Sequence, residues 1–150
     1  KYINYATLET IRFKPYGFFM LKKQFIGRAT VQQEVRGWLQ LSLGHLPKDQ
    51  QFSIQLAVTE VVQNIYRYAY GHQDGGDIII EVHAESGQEL TITARDFGVP
   101  CQPELFLHKT HAASERGGMG LTLINKNAAA FTITPLADGN LAQLVFHLSL

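Results

Sequence analysis

The sequence predicts an α/β fold: a two-layer α/β sandwich in which a mixed, mostly antiparallel sheet carries its helices on one face. Two patterns lead there. Residues 77–84 and 89–96 alternate apolar and polar side chains at period two, so each strand has one face to bury. Residues 29–43 and 51–68 place apolar side chains at three-to-four spacing, so each helix has one stripe to bury. Stacking all helices on one side of the sheet satisfies both at once. The chain has 150 residues, enough for one domain and too few for two with separate cores. With 45% hydrophobic and 17% charged residues it has the composition of a folded protein.

The elements follow in order. The apolar run from Tyr16 to Leu21 is far shorter than the roughly 20 residues of a membrane span. Lys22 and Lys23 follow it at once, so it reads as a buried strand, Phe18 to Lys22. In the first helix Val31, Val35, Trp38, Leu39 and Leu43 form the stripe. Pro47-Lys48-Asp49 separates it from the second, whose stripe is Ile54, Val58, Val61, Ile65 and Ala69. The strands Asp77 to Ala84 and Glu89 to Asp96 join through Glu85-Ser86-Gly87-Gln88 as a hairpin. Ile78, Ile80, Val82 and Ala84 lie on its apolar face with Leu90, Ile92 and Ala94. A third helix covers Gly118 to Asn127. A last hairpin, Phe131 to Pro135 and Ala142 to Leu148, turns at Ala137-Asp138-Gly139-Asn140, with Phe131, Ile133, Leu144, Phe146 and Leu148 inward. Residues 1–16 precede the domain, 17–150, and read either as a linker or as an added strand at Thr10 to Lys14. The absence of an initiator Met suggests a fragment of a longer polypeptide.

Thirteen basic residues balance thirteen acidic ones, so no global positive field favours nucleic acid or a membrane surface. Cys101 is the only cysteine, which excludes an intrachain disulfide and a cysteine zinc site and fits a reducing, cytoplasmic setting. His108 and His111 have no nearby acid or cysteine to complete a metal site. Cys101 has no base partner in sequence, and Tyr66, Tyr68 and Tyr70 read as packing around the helix end.

Three segments bear chemistry. Glu60 and Asn64 lie four apart and so stack on one flank of the second helix, beside its buried stripe, where they can line a cleft. An Asn oxygen can ligate Mg²⁺ without adding charge, and a carboxylate one turn earlier can take a proton from a hydroxyl; a solvated helix face would look the same. Asp96-Phe97-Gly98-Val99-Pro100 leaves a strand. Asp96 there is either a turn former or an acceptor for an exocyclic amine, with Gly98 letting a flat ring approach the backbone. Gly117-Gly118-Met119-Gly120 opens a helix, where backbone amides and the helix dipole suit phosphate, or where glycines simply make a turn.

Taken in this order, the segments resemble the N, G1 and G2 boxes of the GHKL ATPases, whose ATP-binding domain is the Bergerat fold. Leu56-Ala57-Val58-Thr59-Glu60 through Asn64 to Tyr70-Gly71, Asp96-x-Gly98-x-Pro100 and Glu115-Arg116-Gly117-Gly118-Met119-Gly120-Leu121 are similar to those of the bacterial anti-sigma-factor serine kinases. The resemblance implies that Glu60 is the catalytic base and Asn64 the Mg²⁺ ligand. It implies that Asp96 and Gly98 read adenine and that Gly118 and Gly120 bind phosphates. Arg116, Gly117 and Met119 would complete the ATP contacts, with Arg116 in the lid. It further implies an ATP-dependent serine/threonine protein kinase that phosphorylates a STAS-type anti-anti-sigma protein, sequesters a sigma factor or analogous regulator, and forms a homodimer. The alternatives are a non-catalytic partner-switch module and the ATP-binding domain of a larger histidine kinase. Tyr68 stands where many relatives have His.

Overall fold

The structure is a computed structural model and describes residues 10–14, 18–84, 88–102 and 118–149. The expected sandwich forms. Its strands are β1 (Thr10–Lys14), β2 (Phe18–Ile26), β3 (Asp77–Ala84), β4 (Glu89–Asp96), β5 (Ala130–Leu136) and β6 (Gly139–His147). They make one sheet in the order β1-β2-β3-β4-β6-β5, and every described pairing is antiparallel, the limiting case of the mostly antiparallel sheet expected. The helices are α1 (Val31–Ser42), α2 (Lys48–Asn64) and α3 (Gly118–Asn127), and α2 continues into a wider π turn, Ile65–Ala69.

Burial alternates along β3 and β4 as the sequence pattern requires. Ile78, Ile80, Val82, Leu90, Ile92, Ala94, Ala142, Leu144 and Phe146 face one continuous core with the stripes of α1 and α2. Trp38 on α1 meets Phe25 on β2 edge to face, with ring centroids 5.7 Å apart, and Ile124 seats α3. On the other face Glu81 bridges Lys22 at 2.9 Å and His83 at 3.1 Å. Hydrogen bonding to Lys22 holds the Glu81 carboxyl below the ordinary carboxylate range.

Several boundaries differ from expectation for local reasons. The second helix begins at Lys48 because Pro47 takes an extended conformation (φ −55°, ψ 147°) at its N-cap, and its carbonyl accepts from the Gln51 amide. The first strand runs on to Ile26, since pairing with Asp77 at the far end of β3 extends the ladder. Thr10–Lys14 pairs with β2, which is the added-strand alternative for that stretch. In the last hairpin Phe131 and Leu148 pack on the core margin, while Ile133 on the edge strand is half-buried.

Deleting a fully buried side chain in mid-sheet leaves a cavity among rigid neighbours. Ile92→Ala is therefore expected to lower unfolding free energy by about 2–5 kcal/mol. The solvent-facing control Gln143→Ala should stay within about 0.5 kcal/mol, both read by denaturant titration.

Candidate functional site

The site is assembled at one end of α2. Glu60 and Asn64 lie one turn apart on this helix, both half-buried. The first turn of α3 comes down beside them. A β-carbon placed on Gly120 would stand 2.9 Å from Glu60 Oε2, 3.6 Å from Asn64 Nδ2 and 3.8 Å from Asn64 Oδ1. A side chain there would crowd the carboxylate, so the glycine lets the N-terminal turn of the helix come directly against Glu60 and Asn64. The sequence-predicted Glu60, Asn64 and Gly120 are brought together, and Gly118 and Met119 form the same first turn of α3. Arg116 and Gly117 lie outside the described residues, as do His108 and His111.

Beyond Asn64 the helix widens. The Tyr70 amide bonds to the Ile65 carbonyl at 3.1 Å, five residues back, and the Ala69 carbonyl, left without a ladder partner at the helix end, accepts the Val99 amide at 2.8 Å. Gly98 passes so close that a β-carbon there would overlap the Ala69 carbonyl, so only glycine fits. The Tyr70 hydroxyl accepts from the Phe97 amide at 2.9 Å and donates to the Asp77 carbonyl. The turn after β4 is thereby fastened to the end of the helix. Tyr66 and Tyr70 pack against the core as expected, whereas Tyr68 is 44% exposed, with the Arg67 guanidinium over its ring.

Asp96 ends β4 and is 1% exposed. Its Oδ1 accepts from the Gly98 amide at 3.0 Å and from Asn140 Nδ2 at 3.1 Å, while Oδ2 has only a longer contact to the same Nδ2, 3.3 Å. Burial pushes its carboxyl above the ordinary value, opposed by the Gly98 and Asn140 hydrogen bonds and the nearby Arg95 charge. Arg95 is held in turn by Asp138 at 2.6 Å and lies over the Phe97 ring, 4.2 Å from its centroid. Burial also raises the Cys101 thiol, which suits a packed cysteine rather than a nucleophile.

Asn140 is the residue that sequence reasoning missed. It was read as a turn former, yet it is 2% exposed and directly opposite Asp96 in the β4–β6 ladder. Its Nδ2 also donates to the Val99 carbonyl at 3.0 Å, and its Oδ1 accepts from the Cys101 amide at 2.7 Å. The signal was present in the phase of the last strand. Leu144 and Ala142 face inward, so Asn140, two residues further back, must face inward too and find polar partners.

Residues 28–146 match the family model of the histidine kinase-like ATPase domain. The chain belongs to that family. None of the curated proteins compared with it matches at a significant level. Among solved structures it is similar to the RsbU and RsbW domains of Rv1364c from Mycobacterium tuberculosis, with TM-score 0.64 and 19% identity over 86% of this chain and 32% of that one. The histidine kinase domain of the Erythrobacter litoralis EL346 blue-light activated histidine kinase gives TM-score 0.56 and 14% identity, over 79% of this chain and 60% of that one. The mycobacterial sensor histidine kinase MprB gives 0.52 and 16%, over 65% and 72%. The chain thus spans about a third of the first of these proteins, 32%. At these identities the likeness establishes the fold alone; the family match supports an ATP-binding domain of the GHKL kind, a kinase or ATPase in broad terms. Among the described residues no helix is long and apolar enough to cross a membrane.

Because the Asp96 carboxyl titrates higher folded than its ordinary 3.8, folding takes up a proton between those two values. Its contribution to stability is then full below pH 3.8 and is lost as pH rises through the folded value. Asp96→Asn should remove this dependence, so that the variant gains stability relative to wild type as pH rises from about 4 to 7, measured by denaturant titration at each pH.

Proposed function

We propose that this domain is an ATP-dependent serine/threonine protein kinase of the anti-sigma-factor type. Its substrate would be a serine on a STAS-type antagonist, and its second partner a sigma factor or analogous regulator held by partner switching in a cytoplasmic homodimer. The observation that carries the reading is the convergence of Glu60, Asn64 and Gly120, a carboxylate and an amide against a glycine in the first turn of a helix. A carboxylate, an amide oxygen and helix-start amides together suit a phosphate chain with Mg²⁺, and the buried acceptor Asp96 suits the amine of adenine.

In this reading the first-turn amides of α3, including those of Gly118, Met119 and Gly120, orient the phosphates. By the motif, Arg116 and Gly117 would extend that contact. The Asn64 amide oxygen would hold Mg²⁺, which when bound would supply neutralisation of phosphate charge. Among the described residues no cluster of three or more His, Cys, Asp or Glu could hold an ion, so the remaining ligands would be phosphate oxygens and water. Glu60 accepts the proton of the serine hydroxyl as its oxygen bonds to the γ-phosphorus and the bond to the β-bridging oxygen breaks. Gly98 lets the base lie against the backbone beside Asp96.

The likeness to two histidine kinases favours a second reading, the ATP-binding domain of a larger histidine kinase. The two differ in the phosphorylated product, an acid-stable phosphoserine against an acid-labile phosphohistidine.

Calorimetric titration of the domain with ATP and ADP, with and without Mg²⁺, tests the shared premise. Saturable binding that weakens without Mg²⁺ and in Asp96→Asn is expected; a folded protein that binds neither nucleotide would remove the kinase reading. Glu60→Ala should bind ATP as wild type does and lose phosphoryl transfer to a serine acceptor by about 10²- to 10⁴-fold. Undiminished transfer would sink the assignment of Glu60 as base.

A further inference from the structure

Asp96 has two carboxylate oxygens, and the protein uses them unequally. Oδ1 takes both shorter bonds, from the Gly98 amide and Asn140 Nδ2, which fill its lone pairs. From side chains Oδ2 keeps only the 3.3 Å contact to the shared Nδ2, and the Asn140 backbone amide adds its own support to the charged carboxyl. Such a buried carboxylate oxygen lacks a strong donor, and a ligand is the natural source of one. Asn140 cannot turn away to share its donors differently. Its second amide proton goes to the Val99 carbonyl and its oxygen takes the Cys101 amide, so all its polar capacity is tied to residues 96–101.

We propose that Asn140 is a positioning residue that sets base specificity, because by occupying Asp96 Oδ1 it leaves Oδ2 alone for the base edge. This rests on the reading of Asp96 as the base acceptor. One acceptor oxygen matches one donor, the 6-amino group of adenine. The guanine edge presents two adjacent donors, N1–H and the 2-amino group, and pairs with a carboxylate only if both oxygens are open.

The groups facing Asp96 keep the test legible. Arg95 on the same strand is cationic and engaged by Asp138. Tyr70 after the π turn and Cys101 beyond the β4 turn are both pushed up by burial and stay neutral near pH 7. In Asn140→Asp the introduced carboxylate can still accept the Cys101 amide, but it replaces the donor to Asp96 with an acceptor. Only a proton shared between the two carboxyls restores the bond.

The experiment measures Kd for ATP, inosine triphosphate and GTP, each with Mg²⁺, on the wild-type domain, and for ATP on Asn140→Asp from about pH 6 to pH 8. Wild type should bind ATP at least about tenfold more tightly than inosine triphosphate, and GTP no more tightly than inosine triphosphate. Asn140→Asp should bind ATP more weakly near neutral pH and recover on acidification, whereas wild-type binding should not strengthen on acidification, since protonating Asp96 removes its acceptor. GTP at least about tenfold tighter than inosine triphosphate, or a wild-type pH slope in the variant, overturns the role of Asn140 and leaves the Asp96 reading intact. Equal affinity for ATP and inosine triphosphate, or no binding at all, overturns the Asp96 reading and this inference with it. If Asn140→Asp fails to fold, as a melting curve would reveal, the wild-type nucleotide series decides.

Discussion

The carboxylate of Asp96 sits out of water at the end of a central strand, and much of the surrounding chain is arranged to hold it there. An ion in that position is costly unless hydrogen bonds replace its solvent. Two elements far apart in sequence provide them, the Gly98 amide two residues on and the Asn140 amide 44 residues on. The β4–β6 register that places Asn140 opposite Asp96 is the same register that buries Leu144 against Ile92. A one-residue slip would expose the apolar set and remove the donor together, so core packing and site geometry enforce one another.

The other half of the arrangement is the widened end of α2. The Ala69 carbonyl ends the helix with no ladder partner, so it accepts the Val99 amide, and Gly98 permits the approach. Tyr70 then joins that turn to the first residue of β3 through its hydroxyl. The loop after Asp96 is fixed by the Ala69 carbonyl, the Tyr70 hydroxyl and the Asn140 side chain, together with its own Gly98.

This explains which parts of the molecule were legible beforehand. The hairpin at residues 77–84 and 89–96 and the stripe from Ile54 to Ala69 follow from local periodicity, and both appear with the expected faces. The pairing of Glu60 with Asn64 follows from helix geometry alone. The approach of Gly120 to both was legible only through the order of the three family motifs, because nothing local to either segment encodes their contact. The π turn was hidden for the same reason, since its partner Val99 lies 30 residues away. Asn140 was hidden by chemistry: Asn next to Asp-Gly favours turns so strongly that the inward phase of the strand was overlooked. Arg116 and Gly117 fall outside the described residues, and their roles rest on the motif.

One helix therefore connects the two ends of the site. Glu60 and Asn64 face the start of α3, and nine residues after Glu60, roughly 13 Å along the axis, Ala69 holds the turn that carries Asp96. If a nucleotide bridges these points, its base and its phosphates register against the same rigid element. Any shift of the Asp96 loop would then change where the phosphates lie relative to Glu60. In the proposed mechanism proton acceptance by Glu60 demands hydrogen-bond distance, so the fastening of the loop by Ala69, Tyr70 and Asn140 would bear on transfer as well as on affinity. Specificity for the base and alignment of the reacting group would then be one mechanical problem, met at the β4 end by Asn140 and at the α3 end by the close approach that Gly120 permits.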